Sequence, residues 1–332
     1  MGYITTDLSL DTKIRRYMSL PKLESLLNSQ SIYFARFDRF EDRLEGGIGP
    51  NNYSDVSNAY EILDIALNGL GRLSGSGGVD SLAVDVFNEA FPTIFGEIKK
   101  VDGDSYLQGV RSWLYASCWT HLPHECQAMW QLYGSSGANC RHEVGCNECQ
   151  KSLGMSICLE TTLGAVLENI ELNDGYNLIV RKIEYLDHEK MRFDERDMVL
   201  RPFFSKALHF SYENELRFML FPDRKDIKFS YKYNQSEVNE VGSVAVSVKN
   251  MKGLVNKIIL SPLPFKKQEQ IERIHMERYE TALGLPAALA NETLRARVHA
   301  LCKKHNLEPV IVDSALNNVG ARDIYSSMPT KG

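Results

Sequence analysis

The chain reads as an α+β protein, a mixed, mostly antiparallel sheet core with peripheral helices. Three observations predict this. Short apolar runs of strand length recur along its 332 residues, as at Ser31-Ile32-Tyr33-Phe34-Ala35 and Phe218-Met219-Leu220-Phe221. Helical spacing of apolar residues separates only some of these runs. In the second half, strand candidates at 216–221, 227–231, 243–248 and 255–260 follow one another without an intervening helix, and strands joined that way usually pair antiparallel.

Taken in order, residues 12–18 are expected to form a strand and Ser19 to cap a short helix. Pro21 in its first turn and leucines at 20, 23, 26 and 27 support that helix. Residues 31–35 follow as a strand and the polar stretch 36–47 as a loop. Helical spacing over 55–70 and 81–100, joined by a glycine- and serine-rich connector at 71–78, reads as a helical insert at about 52–112. Beyond it come a strand (114–120), a helix (124–133), a strand (154–159), a helix (161–168), a long strand (176–186) and a helix (198–208). The tail offers helices at about 266–283 and 291–305, separated by Gly284-Leu285-Pro286, and a last strand at 308–312. One α+β domain over 1–332 is expected, with a second, Cys/His-rich insert at about 135–152.

Composition narrows the function classes. With 43% hydrophobic and 24% charged residues the chain has the makings of an ordinary core. A formal charge of −5 and a pI near 6.0 argue against a broad nucleic-acid-gripping surface. No apolar stretch is long enough to cross a bilayer and Met1 to Leu20 lacks a secretory apolar segment, so a cytoplasmic protein is expected. Seven cysteines, an odd number, describe reduced thiols better than a disulfide scaffold.

Chemistry concentrates in residues 206–217, Lys-Ala-Leu-His-Phe-Ser-Tyr-Glu-Asn-Glu-Leu-Arg. Glu213, Glu215 and Arg217 stand two apart, which puts them on one face of a strand that enters the core through Phe218–Phe221. Charges in that position must pair, and paired charges at a strand end are a frequent mark of an active site. Two readings follow: Arg217 neutralises the glutamates and pins a neighbouring segment, or a glutamate is kept for work on a ligand.

A second constellation, Cys140, His142, Cys146 and Cys149, has the spacing of a structural zinc knot, with Cys126, His121 or His124 able to replace one ligand. The other reading of that segment is a surface loop with free thiols. Asp42 and Glu45 could bind a metal or a ribose, or serve as turn formers. Glu97-Ile98-Lys99 has an acid and lysine spacing used by nucleases, within a stretch expected to be helical.

Several patches resemble a mainly bacterial family known as domain of unknown function 2971. Arg16-Tyr17-Met18-Ser19 with the strand at 31–35 resembles its opening, and Phe40-Glu41-Asp42-Arg43-Leu44-Glu45-Gly46 its Phe-Asn-Asp-Pro-Phe-Glu loop. Ser117-Cys118-Trp119 through Met129-Trp130-Gln131-Leu132-Tyr133-Gly134 resembles its central helix, and residues 206–217 its Lys-x-x-x-Trp-x-x-Glu-x-Glu-x-Arg motif. Glu41, Arg43 and Phe210 depart from that pattern. The layout of an early strand with a basic or aromatic residue, a short helix, an aromatic strand and a late Glu-x-Glu strand is similar to ADP-ribosyltransferases.

That likeness implies an enzyme that transfers or hydrolyses the ADP-ribosyl group of NAD, or binds a related nucleotide, in the setting of a bacterial toxin or anti-phage effector. Glu215 would stabilise the ribosyl cation and Glu213 would orient or deprotonate an acceptor of unknown identity. Tyr17 and Tyr33 would stack on the nicotinamide, while Arg16, Arg36, Ser19 and Lys206 would hold phosphate or ribose. Arg217 would orient a glutamate, and Trp119 would line the pocket, with Trp130 left to the core. The alternatives are a non-catalytic ligand-sensing or protein-interaction module and, third, a nuclease.

Overall fold

The computed structural model describes residues 4–40, 45–46, 90–99, 103–134, 155–172, 174–191, 193, 200–229, 237, 239–262 and 284–318. In chain order its elements are β1 (Ile4–Thr6), β2 (Lys13–Ser19), α1 (Leu20–Ser29), β3 (Ser31–Arg36), a 3₁₀ turn (Phe37–Arg39), β4 (Ala90–Thr93), β5 (Gly96–Lys99), α2 (Gly103–Val110) and β6 (Tyr115–Thr120). There follow α3 (Gln127–Tyr133), β7 (Ser156–Thr162), α4 (Leu163–Asn169), β8 (Ile170–Glu171), β9 (Tyr176–Lys182), β10 (Glu184–Leu186), a 3₁₀ turn (Arg201–Phe204), β11 (Ser205–Ala207) and a 3₁₀ turn (Leu208–Glu213). The chain ends through β12 (Glu215–Pro222), β13 (Ser243–Val248), α5 (Met251–Leu254), β14 (Lys257–Leu260), α6 (Gly284–Lys304), β15 (Val310–Asp313) and a 3₁₀ turn (Ala315–Asn318). The fold is α+β with mostly antiparallel pairing, as the sequence predicts. Two compact units make it up: Met1–Asp7 with Tyr33–Cys118 and Leu172–Val246, and Leu8–Ile32 with Trp119–Glu171 and Ser247–Gly332.

The first unit is built on β12. All eight of its residues are buried: the run Phe218–Phe221 has no polar face to turn toward water, and the charged Glu215 and Arg217 ahead of it are buried as a pair. β9 pairs with it antiparallel, Phe218 opposite Val180 and Leu220 opposite Leu178, and β1 adds to β9 in parallel. β3 pairs antiparallel with β6 through Ala35 and Ala116. Aromatic rings fill the core beneath: Phe95 meets Phe221 edge-on at 6.0 Å and Tyr106 meets Phe229 at 5.0 Å.

Four expectations fail in this unit, three of them for identifiable local reasons. Where residues 81–100 show helical spacing, 90–99 form the antiparallel β4–β5 hairpin. Pro92 denies a helix one hydrogen bond, and Gly96 takes φ +105° at a point where a Cβ would lie 2.7 Å from the Lys225 carbonyl oxygen. Glu97-Ile98-Lys99 therefore lies on a strand. The helix expected at 198–208 gives way to a 3₁₀ turn with Pro202 in its first turn, and then to β11, which pairs in parallel with β10. The long strand expected at 176–186 divides at Ile183, whose N–H turns to the Glu215 carbonyl at 2.9 Å. Of the strand expected at 227–231, residues 227–229 are not in a strand and the rest lie outside the described residues.

In the second unit β2 pairs with β7 along its whole length, from Lys13 opposite Thr162 to Ser19 opposite Ser156. β14 extends β7 antiparallel and β15 follows β14 in parallel. Across this sheet Arg15 Nε donates to Glu160 Oε2 at 2.6 Å, and Lys257 Nζ donates to Glu160 Oε1 at 3.0 Å. Leu20, Leu23, Leu26 and Leu27 bury one face of α1, which ends where Gln30 turns left-handed. Ser19 is its N-cap residue, although its hydroxyl makes no capping bond. Thr162 does cap α4, accepting from the Ala165 N–H at 3.1 Å, which delays that helix to Leu163.

Gly284-Leu285-Pro286, expected as a break, opens α6 instead, because proline is tolerated in a first turn whose N–H groups have no partner anyway. The helices expected at 55–70 and 266–283, the connector at 71–78 and the whole Cys/His insert lie outside the described residues. Among the described residues no helix is long and apolar enough to cross a membrane.

Leu159 sits at 0% exposure in mid-β7, opposite Arg16 on one side and Ile258 on the other. Leu159→Ala is expected to cost about 2–5 kcal/mol of stability, read as a lower denaturant midpoint at unchanged slope.

Candidate active site

The first unit gathers five charged side chains around the start of β12. Asn214 turns left-handed (φ 44°) and ends the preceding 3₁₀ turn, so β12 begins at Glu215 and places Arg217 on the same face two residues on. Glu213 closes the 3₁₀ turn and is not part of the strand, contrary to the uniform spacing read from the sequence. Lys206, on β11, brings it into the group. Its Nζ lies 2.7 Å from Glu213 Oε2, 2.7 Å from Glu45 Oε1 and 3.1 Å from Glu215 Oε2.

Arg217 is the centre. Its Nε donates to Glu215 Oε1 at 2.7 Å, its Nη2 to Glu45 Oε2 at 2.9 Å and its Nη1 to the Phe203 carbonyl at 2.8 Å. The guanidinium also lies 5.1 Å from the Phe37 ring centre and 5.8 Å from that of Phe40. Lys206 stands 5.3 Å from the Phe210 ring, which gives the lysine an aromatic face. Arg217 is 0% exposed and Glu215 3%.

Such burial decides the protonation states. It pushes the Glu215 carboxyl up, but Arg217 and Lys206 outweigh it and hold that group down at about 2 from an ordinary 4.5. At Glu45 burial prevails over the same two cations, with the negative charge of Glu215 adding to it, and the carboxyl is raised. Burial, reinforced by Glu215, lifts the Cys118 thiol well above its ordinary value and leaves it a neutral neighbour. Glu215 Oε2, although 3.1 Å from Lys206 Nζ, receives no directed hydrogen bond. An anion so weakly basic is poor at taking protons and well placed to stabilise positive charge.

Glu45 is the member that sequence reasoning missed as a partner of this block. Burial in ion pairs replaces the metal, ribose or turn role read for it. The signal was the glycine behind it: Gly46 takes φ +72°, a Cβ there would lie 2.7 Å from the Phe203 ring, and its N–H donates to the Pro202 carbonyl at 3.1 Å. Only a glycine lets the chain present Glu45 to Arg217 at that approach. Asp42 lies outside the described residues.

The remaining sequence-predicted residues lie elsewhere. Tyr33, on β3, has its side chain turned to solvent at 52% exposure. Arg36 is engaged by Asp38 at 2.7 Å and by the Asn239 carbonyl. In the second unit Tyr17 has no open face: it is 5% exposed, packs edge-on against Trp130 at 4.8 Å, and its hydroxyl accepts from the Cys126 N–H at 3.2 Å. Trp119 is likewise interior at 3% exposure, with the Arg16 guanidinium 5.6 Å from its ring, so it is a core residue and not a pocket wall. Ser19 is buried and Trp130 is in the core, the latter as expected. Cys140, His142, Cys146 and Cys149 lie outside the described residues, and among the described residues no group of His, Cys, Asp and Glu is disposed to hold a metal.

No family model matches the chain, so its likeness to domain of unknown function 2971 is one of motif. No curated protein matches it either. Among solved structures, Thermus sp. 2.9 DarT in complex with ADP-ribosylated ssDNA matches over 96% of this chain and 98% of that one, at 9% identity and a TM-score of 0.32. At that score no role is carried over from it.

Removing one partner of a dry ion pair strands the other. Arg217→Met is expected to cost about 3–5 kcal/mol, measured by denaturant unfolding. Glu215 sets a pH dependence whose sign follows from its depressed value. Its contribution is fully present above 4.5 and is lost as pH falls toward 2; at about 1.4 kcal/mol per unit this amounts to roughly 3 kcal/mol. The acid limb of a stability curve should lose that component in Glu215→Gln.

Proposed function

We propose that the chain is an NAD- or nucleotide-binding enzyme of the ADP-ribosyltransferase type, acting as a transferase or an NAD glycohydrolase. The observation that carries this reading is a carboxylate, Glu215, kept ionised in a dry setting by Arg217 and Lys206. Cleavage of the bond between nicotinamide and ribose sends the bonding pair out with neutral nicotinamide and leaves a ribosyl cation. A fixed anion that needs no reorganisation lowers the energy of that cation. The acceptor, a macromolecular nucleophile or water, then forms the new bond to the ribose carbon, and its proton passes to solvent or to Glu213. In this scheme the half-exposed ring of Tyr33 offers a stacking face. Tyr17 and Trp119 support the fold and do not touch the substrate.

A second reading has its own observation. Glu215 is 3% exposed and ion-paired, which is also how a fold lock looks. The chain would then be a ligand-sensing or protein-interaction module whose cluster only holds β12 to its neighbours. Structural zinc at Cys140, His142, Cys146 and Cys149 is part of either proposal.

Purified protein incubated with NAD and candidate acceptors is expected to release nicotinamide, and Glu215→Gln to lower the rate by on the order of 10²- to 10³-fold. Melting curves of both proteins accompany the assay. NAD that is neither bound nor consumed by folded wild type, with the variant indistinguishable in any cellular phenotype, favours the second reading. Elemental analysis is expected to find about one zinc per chain, lost when Cys146 and Cys149 are replaced by serine.

A further inference from the structure

Glu215 is fixed at both ends. Arg217 holds its carboxylate at 2.7 Å, and the bend between β9 and β10 holds its backbone. The register that sets Leu216 opposite Lys182 would set Glu215 opposite Ile183, and the Ile183 N–H does reach the Glu215 carbonyl at 2.9 Å. In an antiparallel pair the return bond would run from the Glu215 N–H to the facing carbonyl. Here it goes to a side chain: the Glu215 N–H donates to the Tyr185 hydroxyl at 2.8 Å. That hydroxyl thus completes the ladder where β12 begins, directly after the left-handed Asn214 (φ 44°).

Tyr185 is itself anchored. On β10 it stands opposite Lys206 of β11, and its ring packs against the aromatic core of the first unit. Burial, with the negative charges of Glu215 and Glu213 adding to it, keeps the hydroxyl a neutral phenol, so it meets the N–H as a fixed dipole and brings no further charge. Without it the N–H of a residue 3% exposed would lose its acceptor, and the ring alone could not replace it. The peptide between Asn214 and Glu215 would then be free to turn, and the carboxylate would turn with it.

We propose that Tyr185 is a positioning residue: by taking the Glu215 N–H, its hydroxyl fixes the backbone from which the Glu215 carboxylate meets the ribosyl cation. This rests on the reading of Glu215 as the carboxylate that stabilises that cation. A preorganised anion acts only from the right place, and a misplacement of about 1 Å costs on the order of 100-fold in rate. The loss falls on the chemical step. Tyr185 acts through Glu215 and not on NAD, so the affinity for NAD stays as it is.

Tyr185→Phe in the full chain, assayed below the melting point of both proteins, tests this by two measurements. Exchange of the Glu215 amide relative to Phe37, whose N–H donates to the Leu114 carbonyl at 2.8 Å, is expected to quicken about tenfold, the worth of one ordinary hydrogen bond. Nicotinamide release from NAD is expected to fall about 10- to 100-fold in kcat, with KM within about twofold. Wild type alone carries a test if the variant does not fold: a Glu215 amide that exchanges as fast as an open loop overturns the proposal. Unchanged kcat in Tyr185→Phe beside an inactive Glu215→Gln overturns the positioning role and leaves the proposed function standing. A lower kcat with an unmoved Glu215 amide also overturns it, because the hydroxyl then acts on something else. Folded wild type that turns over no NAD removes the proposed function and the role together, and the silence of wild type itself tells that outcome from the others.

Discussion

A guanidinium at 0% exposure is the constraint on which the first unit rests. Arg217 cannot shed its charge, so everything around it must answer that charge. Two carboxylates and a backbone carbonyl take up its donors, and two phenylalanine rings cover its planar face. Each partner comes from a different part of the sequence: Glu215 from the same strand, Glu45 from the segment after β3, and the Phe203 carbonyl from the 3₁₀ turn before β11. One side chain therefore fixes the mutual register of three segments that share little regular hydrogen bonding. Replacing a whole buried set of this kind with well-packed apolar residues is often neutral or even stabilising. Deleting one member is a different matter, because the others stay buried.

Lys206 extends this arrangement and changes its balance. It reaches all three glutamates, so it couples Glu213, which lies off the strand, to Glu215, which lies on it. Its own charge is secured by those neighbours against the cost of burial. The consequence is a division between two carboxylates in nearly the same place. Glu215 answers both cations and is held at about 2, whereas Glu45 comes third and is pushed up. Environment, not residue type, holds one carboxyl down and pushes the other up.

Much of this was legible in the amino-acid order. The charged residues ahead of Phe218–Phe221 announced paired charges at the mouth of a buried strand, and mostly antiparallel pairing was expected correctly, although β12 and β14 find their partners in β9 and β7 and not in each other. Glu45 was not legible as a partner, because the glycine behind it marks a close approach of the chain and not which residue, 172 positions away, is approached. Glu213 was misplaced because the left-handed turn at Asn214 interrupts the two-residue spacing of Glu213, Glu215 and Arg217 in the sequence. Helical spacing over 90–99 and 198–208 misled for a related reason. Apolar spacing records which side chains seek the core, and it does not record that Pro92, Gly96 or Pro202 removes the hydrogen bonds a helix would need. Tyr17 shows the converse: an aromatic residue beside two arginines invites a ligand, yet its ring is already spent on Trp130.

The two roles open to Glu215 are not exclusive in physical terms. A carboxylate that must meet a cation in a transition state has to be ionised, fixed and dry beforehand, and the groups that make it so are the groups that lock the fold. What separates the roles is the stability of the anion, not its burial. In a lock, charge-conserving changes among the cations alter melting and leave chemistry untouched. In a catalyst, an Arg217→Lys exchange keeps the charge but loses the planar fork that sets the Glu215 orientation, and the loss appears in turnover beyond what the lower melting point explains.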